Sequence, residues 1–333
     1  MAPTLKDVAE KAGVSRSAVS RSFTEGASVS PAMRERVLAA AGELGYQPSI
    51  LASGLSTGRT KLVGLVSNNF QNPFFLEIFD LFTQELQTRG LRPLLVNLTD
   101  SREPEASASM LRQYSVDGVV VASSTLPPDF STAFADLGIP VVHAFARHLK
   151  RPDVDTVGVD NVEVGKLAAR EFIARGYRRV GFLGGPDWAT SSIDRQRGFA
   201  ETLNAHGSIS FETHFSQNYA FDAGRDAMAQ ILDRGDPAEA YFCGDDVVSI
   251  GAMSILRERG FDIPGKVGLL GVNDMEMARW QNIALTTIRQ PVHDIVVAVA
   301  ERLLTLMQKP DDPVRAIRLE PLLIERKTLG PRL

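Results

Sequence analysis

The hydrophobic rhythm of this chain changes once, near Lys61, and the change requires two kinds of domain in one polypeptide. Before it, apolar residues recur at helical spacing. After it, short apolar runs alternate with helical stretches, the pattern of parallel sheets covered on both faces. The runs are Leu62-Val63-Gly64-Leu65-Val66, Leu94-Leu95-Val96, Gly118-Val119-Val120-Val121, Ile139-Pro140-Val141-Val142, Val157-Gly158-Val159, Val180-Gly181-Phe182-Leu183, Ala240-Tyr241-Phe242-Cys243 and Val267-Gly268-Leu269-Leu270. Helices are predicted between them, near 74–89, around Met110, from about Asn161 to Arg175, through Phe199 and near 249–259. Two such sets predict two doubly wound subdomains with a cleft between them.

The first 47 residues predict three small helices. Leu5, Val8, Ala9 and Ala12 follow the i, i+3, i+4, i+7 spacing of one buried face. Thr4 and Asp7 stand at capping-box spacing, and Gly13 supplies a tight turn. Ser15 caps a second helix on which Val19 and Phe23 point inward, leaving Arg16, Ser17, Ser20 and Arg21 on the open side. Ser30-Pro31 opens a third helix with Met33, Val37, Ala40, Ala41 and Leu44 as its stripe, ended by Gly45. A duplex DNA groove suits the open face; a merely solvated face on an ordinary helix pair is the competing reading.

Charge is divided along the chain. Its 36 basic and 40 acidic side chains give a net charge of −4, which excludes a general polyanion binder. Residues 1–60 hold seven basic and five acidic side chains, a balance of +2 that leaves −6 for the rest. One cysteine, Cys243, precludes an internal disulfide and suits a reducing cytoplasm. The chain starts without a secretory pattern, and no apolar run approaches the roughly 20 residues of a membrane span. Five histidines (His143, His148, His206, His214, His293) lack metal-ligand spacing, so neither metal nor cofactor is expected.

The stretch from Thr4 to Arg21, with Val29-Ser30, Arg34, Val37, Leu44-Gly45-Tyr46 and Pro48, resembles the DNA-binding head of the lactose/galactose repressor family of bacterial regulators. The similarity continues to Leu285-Thr286-Thr287-Ile288, Gln290-Pro291 and Leu322-Leu323-Ile324-Glu325-Arg326. The fold this implies is an all-α helix-turn-helix head on an α/β core like that of periplasmic sugar-binding proteins. Its domains would be a head at 1–47, a hinge at 48–60 and a core at 61–333. Within the core, 61–160 with 291–318 would form one subdomain, and 161–290 with 319–333 the other.

The resemblance also implies roles for single residues. Arg16, Ser17 and Arg21 fall at base-reading positions, and Ser15, Ser20 and Ser30 suit phosphate contacts. In the hinge, Leu51 and Leu55 would enter the minor groove, on a segment too short to hold as a helix without DNA. Asn72-Pro73-Phe74-Phe75 resembles a sugar-gripping loop. Arg195 and Asp246 match the effector-binding arginine and aspartate, and Ser191 and Tyr219 fall at further pocket positions. Trp188 and Asp274 follow strand ends and join this set, as does Phe145, whose Phe145-Ala146-Arg147 stands where many members read Asp-Arg. That departure weakens the expectation of an ordinary neutral pentose or hexose and keeps a sugar acid or another small polar metabolite open.

The expected partners are operator DNA, a small carbohydrate-like effector and a second copy of the chain. A homodimer is expected over a tail-tethered tetramer, because no leucine-heptad tail follows the last predicted strand. Two other classes fit less well. An enzyme could use the adjacent carboxylates Asp245 and Asp246 or a phosphate cradle at Gly184-Gly185-Pro186, but nucleophile arrangements and phosphate-loop spacing are missing. A transport binding protein fits the core and fails on the first 60 residues.

Overall fold

The structure is a computed structural model that describes residues 3–24, 26–47, 59–98, 104–126 and 129–332. It divides into two units, Met1–Lys61 and Leu62–Leu333.

The first unit holds α1 (Leu5–Ala12), α2 (Arg16–Phe23) and α3 (Pro31–Leu44). Each start carries a side-chain cap: Thr4 with Asp7 as a reciprocal box, Ser15 on Ala18 N, and Ser30 on Met33 N. Gly13 and Gly45 end α1 and α3 in the left-handed region, at φ 62° and 66°. The core is small: Val8, Ala9, Ala12, Val19, Val37, Ala40 and Ala41, edged by Leu5, Val14, Phe23, Leu44 and Tyr46. Met33, expected in the stripe of α3, is only half-buried. With so thin a core, polar ties between helices matter more. Lys11 reaches Glu43 at 2.6 Å, and Arg34 donates to the carbonyls of Thr24 and Ala27.

The second unit contains two six-stranded sheets. The N-subdomain sheet runs β11-β5-β4-β3-β1-β2, with β1 Leu62–Ser67, β2 Arg92–Asn97, β3 Gly118–Ala122, β4 Val141–Ala144, β5 Asp155–Val159 and β11 Ala316–Leu319, all parallel. The C-subdomain sheet runs β12-β10-β9-β8-β6-β7, with β6 Arg179–Gly184, β7 Ser210–Phe215, β8 Ala240–Cys243, β9 Gly268–Asn273, β10 Thr286–Arg289 and β12 Leu322–Ile324. Here only the β10–β12 pair is antiparallel. The helices are α4 (Pro73–Thr88), α5 (Pro104–Gln113), α6 (Asp129–Asp136), α7 (Asn161–Ala174), α8 (Thr190–His206), α9 (Phe221–Arg234), α10 (Asp246–Glu258) and α11 (Val292–Gln308). The chain passes between subdomains three times, after β5, after β10 and after β11.

Central strands are buried on both faces, as in β3 and β9, which is why their sequences are unbroken apolar runs. The predicted strand at Ile139 starts instead at Val141, with Ile139 and Pro140 leading into it. Elements without such a run escaped the reading. β7 is an edge strand, Ser-Phe-Glu-Thr-His-Phe, with no fully buried residue. α6, α9 and α11 likewise went unread. Among the described residues no helix is long and apolar enough to cross a membrane.

Candidate DNA-reading face and ligand cleft

On α2, Val19 is fully buried while Arg16, Ser17, Ser20 and Arg21 are all exposed. No carboxylate among the described residues pairs with either arginine, so both guanidiniums keep their full donor sets for an outside acceptor. Ser15 and Ser30 spend a lone pair each on capping amides, and Ser15 Oγ lies 2.9 Å from Ser17 Oγ. Leu51 and Leu55 lie outside the described residues.

In the second unit, the carboxyl ends of the strands face each other across a cleft. Its inner chamber is nearly closed, with about 10 Å³ of room between the walls, enough for about one water. Six expected residues meet there: Asn72, Phe74, Phe75, Phe145, Arg195 and Tyr219. Five residues not assigned to the effector join them: Ser124, Asn161, Asp245, Asn273 and Gln290.

The N-subdomain wall is neutral. Asn72 caps α4 through Oδ1, which accepts from Phe74 N at 3.0 Å, and Pro73 fits the first helical position. The cap places Phe74 and Phe75 on the first turn, where both pack edge-on against Phe145 at 5.9 and 6.4 Å between centroids. Phe145 sits at φ 62°, which a bulky residue adopts only under constraint, at a cost of about 1–3 kcal/mol. Its amide donates to Val157 O at 2.8 Å, which holds that turn against β5. Arg147, two residues on, reaches Asp194 of the C-subdomain at 2.6 Å.

The C-subdomain wall carries the charges. Arg195 lies on α8, whose crossing with α7 is backbone on backbone. A Cβ on Gly165 would stand 2.0 Å from Arg195 O, and one on Gly198 2.0 Å from Val162 O. That close approach lets the Arg195 Nε donate to Asn161 Oδ1 at 2.8 Å, while Nη1 donates to Gly244 O at 2.5 Å. Arg195 is 3% exposed, burial lowers its pKa, and no carboxylate among the described residues forms an ion pair with it. Asp245 caps α10 with Oδ1 on Val247 N at 2.8 Å. Its Oδ2 accepts from Asn273 Nδ2 and, across the cleft, from Asn72 Nδ2, both at 2.9 Å. Burial pushes the Asp245 carboxyl up to about 6, against the hydrogen bonds and Arg195 that favour its charged form. Asn273, at φ 116°, receives Gln290 Nε2 on its own Oδ1 at 2.6 Å.

Four expected residues are placed elsewhere. Asp246, expected to hold the effector, turns into the C-subdomain interior: Oδ1 accepts from Thr287 Oγ1 at 2.6 Å and Oδ2 from Met275 N at 2.9 Å. The carboxylate facing the cleft is its neighbour. Position explains the exchange: Asp245 is the extended N-cap, whereas Asp246 is the first helical residue and points inward. Asp274 is buried and paired with Arg289, Arg326 and Arg279 at 2.7, 2.5 and 3.4 Å, so its charge is consumed. Ser191 stands behind the chamber, its Oγ 2.8 Å from the Tyr219 hydroxyl. Trp188 is 62% exposed and lines an outer chamber that meets the inner one at Tyr219.

Buried histidine chemistry supports the cleft without entering it. His143 lies within hydrogen-bond reach of Ser123 O through Nε2 and of Ser131 Oγ through Nδ1, at 3.0 and 2.9 Å. The carbonyl can only accept, so Nε2 carries the proton. Burial pushes this imidazole down to about 4, so it is neutral and fixes the loop that offers Ser124 to the inner chamber. The Ser124 carbonyl in turn accepts from Thr190 Oγ1 and Ser191 N of the other subdomain. Among the described residues no cluster could hold a metal ion.

A helical head with an open cationic face, joined in one chain to a two-sheet cleft, defines a ligand-responsive DNA-binding regulator. Residues 4–49 match the family described as bacterial regulatory proteins, lacI family, and residues 169–329 match the periplasmic binding protein-like domain. The HTH-type transcriptional repressor PurR of Pectobacterium carotovorum subsp. carotovorum is 32% identical over 99% of this chain and 98% of its own. The HTH-type transcriptional regulator CelR of Thermobifida fusca is 32% identical over 98% of each. A solved CelR–cellobiose complex aligns with a TM-score of 0.73 at 30% identity over 98% of this chain and 99% of that one. A lac repressor dimer bound to operator shares the fold, with a TM-score of 0.89 at 23% identity over 98% and 99%. The chain belongs to the lacI family of bacterial regulatory proteins, whose relatives here are transcription repressors and regulators.

Proposed function

We propose that this protein is a homodimeric repressor that acts in the cytoplasm and releases or grips its operator according to a polyhydroxylated small molecule held in the cleft. The observation that carries the reading is Arg195, a buried guanidinium facing the inner chamber with no carboxylate partner among the described residues. Beside it stand Asp245, the amides of Asn72, Asn161, Asn273 and Gln290, and aromatic faces from Phe74, Phe75, Phe145 and Tyr219. Fixed amides and charges engage paired hydroxyls, and aromatic faces cover the C–H surfaces of a sugar ring. The CelR relative, solved with cellobiose, fits the same ligand class.

The cleft regulates and does not catalyse. Its neighbouring thiol, Cys243, is buried with its pKa pushed up to about 12, and Asp246 is committed to Thr287 and Met275. On the DNA side, Arg16, Ser17 and Arg21 read bases in the major groove, Ser15, Ser20 and Ser30 contact phosphate, and Leu51 and Leu55 form the minor-groove hinge. Two copies place their α2 helices about one helical turn apart on a pseudo-palindromic site. Ligand and operator couple by about 1–3 kcal/mol.

Binding-site selection from a random duplex library, followed by titration of the selected operator with and without sugars, tests the reading. Arg21→Ala lowers affinity for the selected site by about 1–3 kcal/mol and leaves affinity for unrelated duplex far less changed. Equal loss on both duplexes removes Arg21 from base reading.

A further inference from the structure

Tyr219 also lines a second, outer chamber of about 250 Å³ between the two subdomains. One side holds Phe70, Asn68 and Gln71; the other holds Trp188, Gln217 and Asn218. Asn68 Oδ1 is occupied twice, by Ser123 Oγ at 2.9 Å and Thr125 Oγ1 at 3.0 Å, which fixes the amide plane. The Asn68 Nδ2 and the side-chain amides of Gln71, Gln217 and Asn218 have no hydrogen-bond partner among the described residues. Phe70 is held in place by stacking on Phe79 at 4.8 Å. Trp188 is more exposed than any other large apolar side chain described.

Water satisfies the exposed amides, but a bare indole in a concave wall beside a ligand site is the kind of apolar surface that marks a binding position. Acidic and basic side chains are absent from the lining, so a charged group gains nothing there. Amides that both donate and accept match neutral hydroxyls, and the indole and phenyl rings match the apolar face of a pyranose.

We infer that the effector is a neutral oligosaccharide of at least two rings, with one unit parting the inner walls beside Arg195 and Asp245 and the next in the outer chamber on Trp188. This rests on the carbohydrate reading above and extends it to ligand length. Tyr219, shared by both chambers, lies at the glycosidic link. The sugar-acid alternative fits less well, because the outer chamber offers no cation to a second carboxylate.

The experiment is calorimetry on the full chain with matched pairs: glucose and cellobiose, galactose and lactose, xylose and xylobiose. In the series that binds, the disaccharide binds at least tenfold more tightly than its monosaccharide. Trp188→Ala brings that ratio to within twofold. The sequence has two tryptophans, so Trp280→Phe leaves Trp188 as the only indole, and its emission shifts with the disaccharide but not with the monosaccharide. A monosaccharide that binds as tightly as its disaccharide, or an unchanged ratio in Trp188→Ala, overturns the two-ring inference while the carbohydrate cleft stands. No binding by any sugar of the three series, together with binding by a nucleobase panel, overturns both.

Discussion

The two walls of the cleft are the carboxyl edges of sheets with the same strand order, yet they present different chemistry. The N-subdomain edge offers Asn72, Ser124 and three phenylalanines, all uncharged. The C-subdomain edge offers Arg195 and Asp245, each buried and each oriented by its own hydrogen bonds. Apolar faces supply affinity with little orientation, whereas charge-assisted hydrogen bonds fix direction as well as strength. Under the proposed function, the charged wall therefore chooses the ligand and the neutral wall adds apolar contact.

The largest test of that division is Arg195→Ala, expected to cost effector affinity about 100-fold or more, on the order of 3 kcal/mol, by calorimetry. A loss under threefold would move recognition to the other wall. Next comes Asn72→Asp, which keeps a capping oxygen for α4 but sets a second carboxylate against Asp245. Hydrogen exchange at residues 72–75 and 245–247 is expected to rise by about tenfold without effector; unchanged protection would mean that the Asn72–Asp245 contact does not hold the walls together.

A further test concerns pH. The folded Asp245 carboxyl, near 6, lies above its unfolded value of about 4, so the folded state holds a proton that the unfolded chain has released between those values. Stability attributable to this group is present below about pH 4 and falls as pH rises through 6, by on the order of 3 kcal/mol. Asp245→Asn is expected to flatten that part of the denaturation profile. An identical profile for both proteins would show that the group does not titrate there.

Much of this was readable from the chain, for identifiable reasons. Central strands declare themselves because burial on both faces demands unbroken apolar runs, and the head declares itself through its caps. The edge strand β7 and the helix α9 do not, since their half-solvated faces look like any polar stretch. In the site, types were legible and directions were not. Asp245 and Asp246 are adjacent and identical, and only the N-cap geometry decides which one faces the cleft. Asn161 and Asn273 mark a helix start and a strand end and Gln290 falls in the Gln290-Pro291 motif, but a plain amide does not announce a ligand contact. Asn161 is legible only once Arg195 is seen to lean on it.

The bare crossing of α7 and α8 has a consequence for engineering. With Gly165 and Gly198 pressed against opposing carbonyls, even one added methyl group would pry the helix pair apart and carry the Arg195 headgroup off its mark. Libraries built to retune which molecule this regulator senses should therefore vary the lining and leave those two positions fixed, since alterations there blunt every response alike.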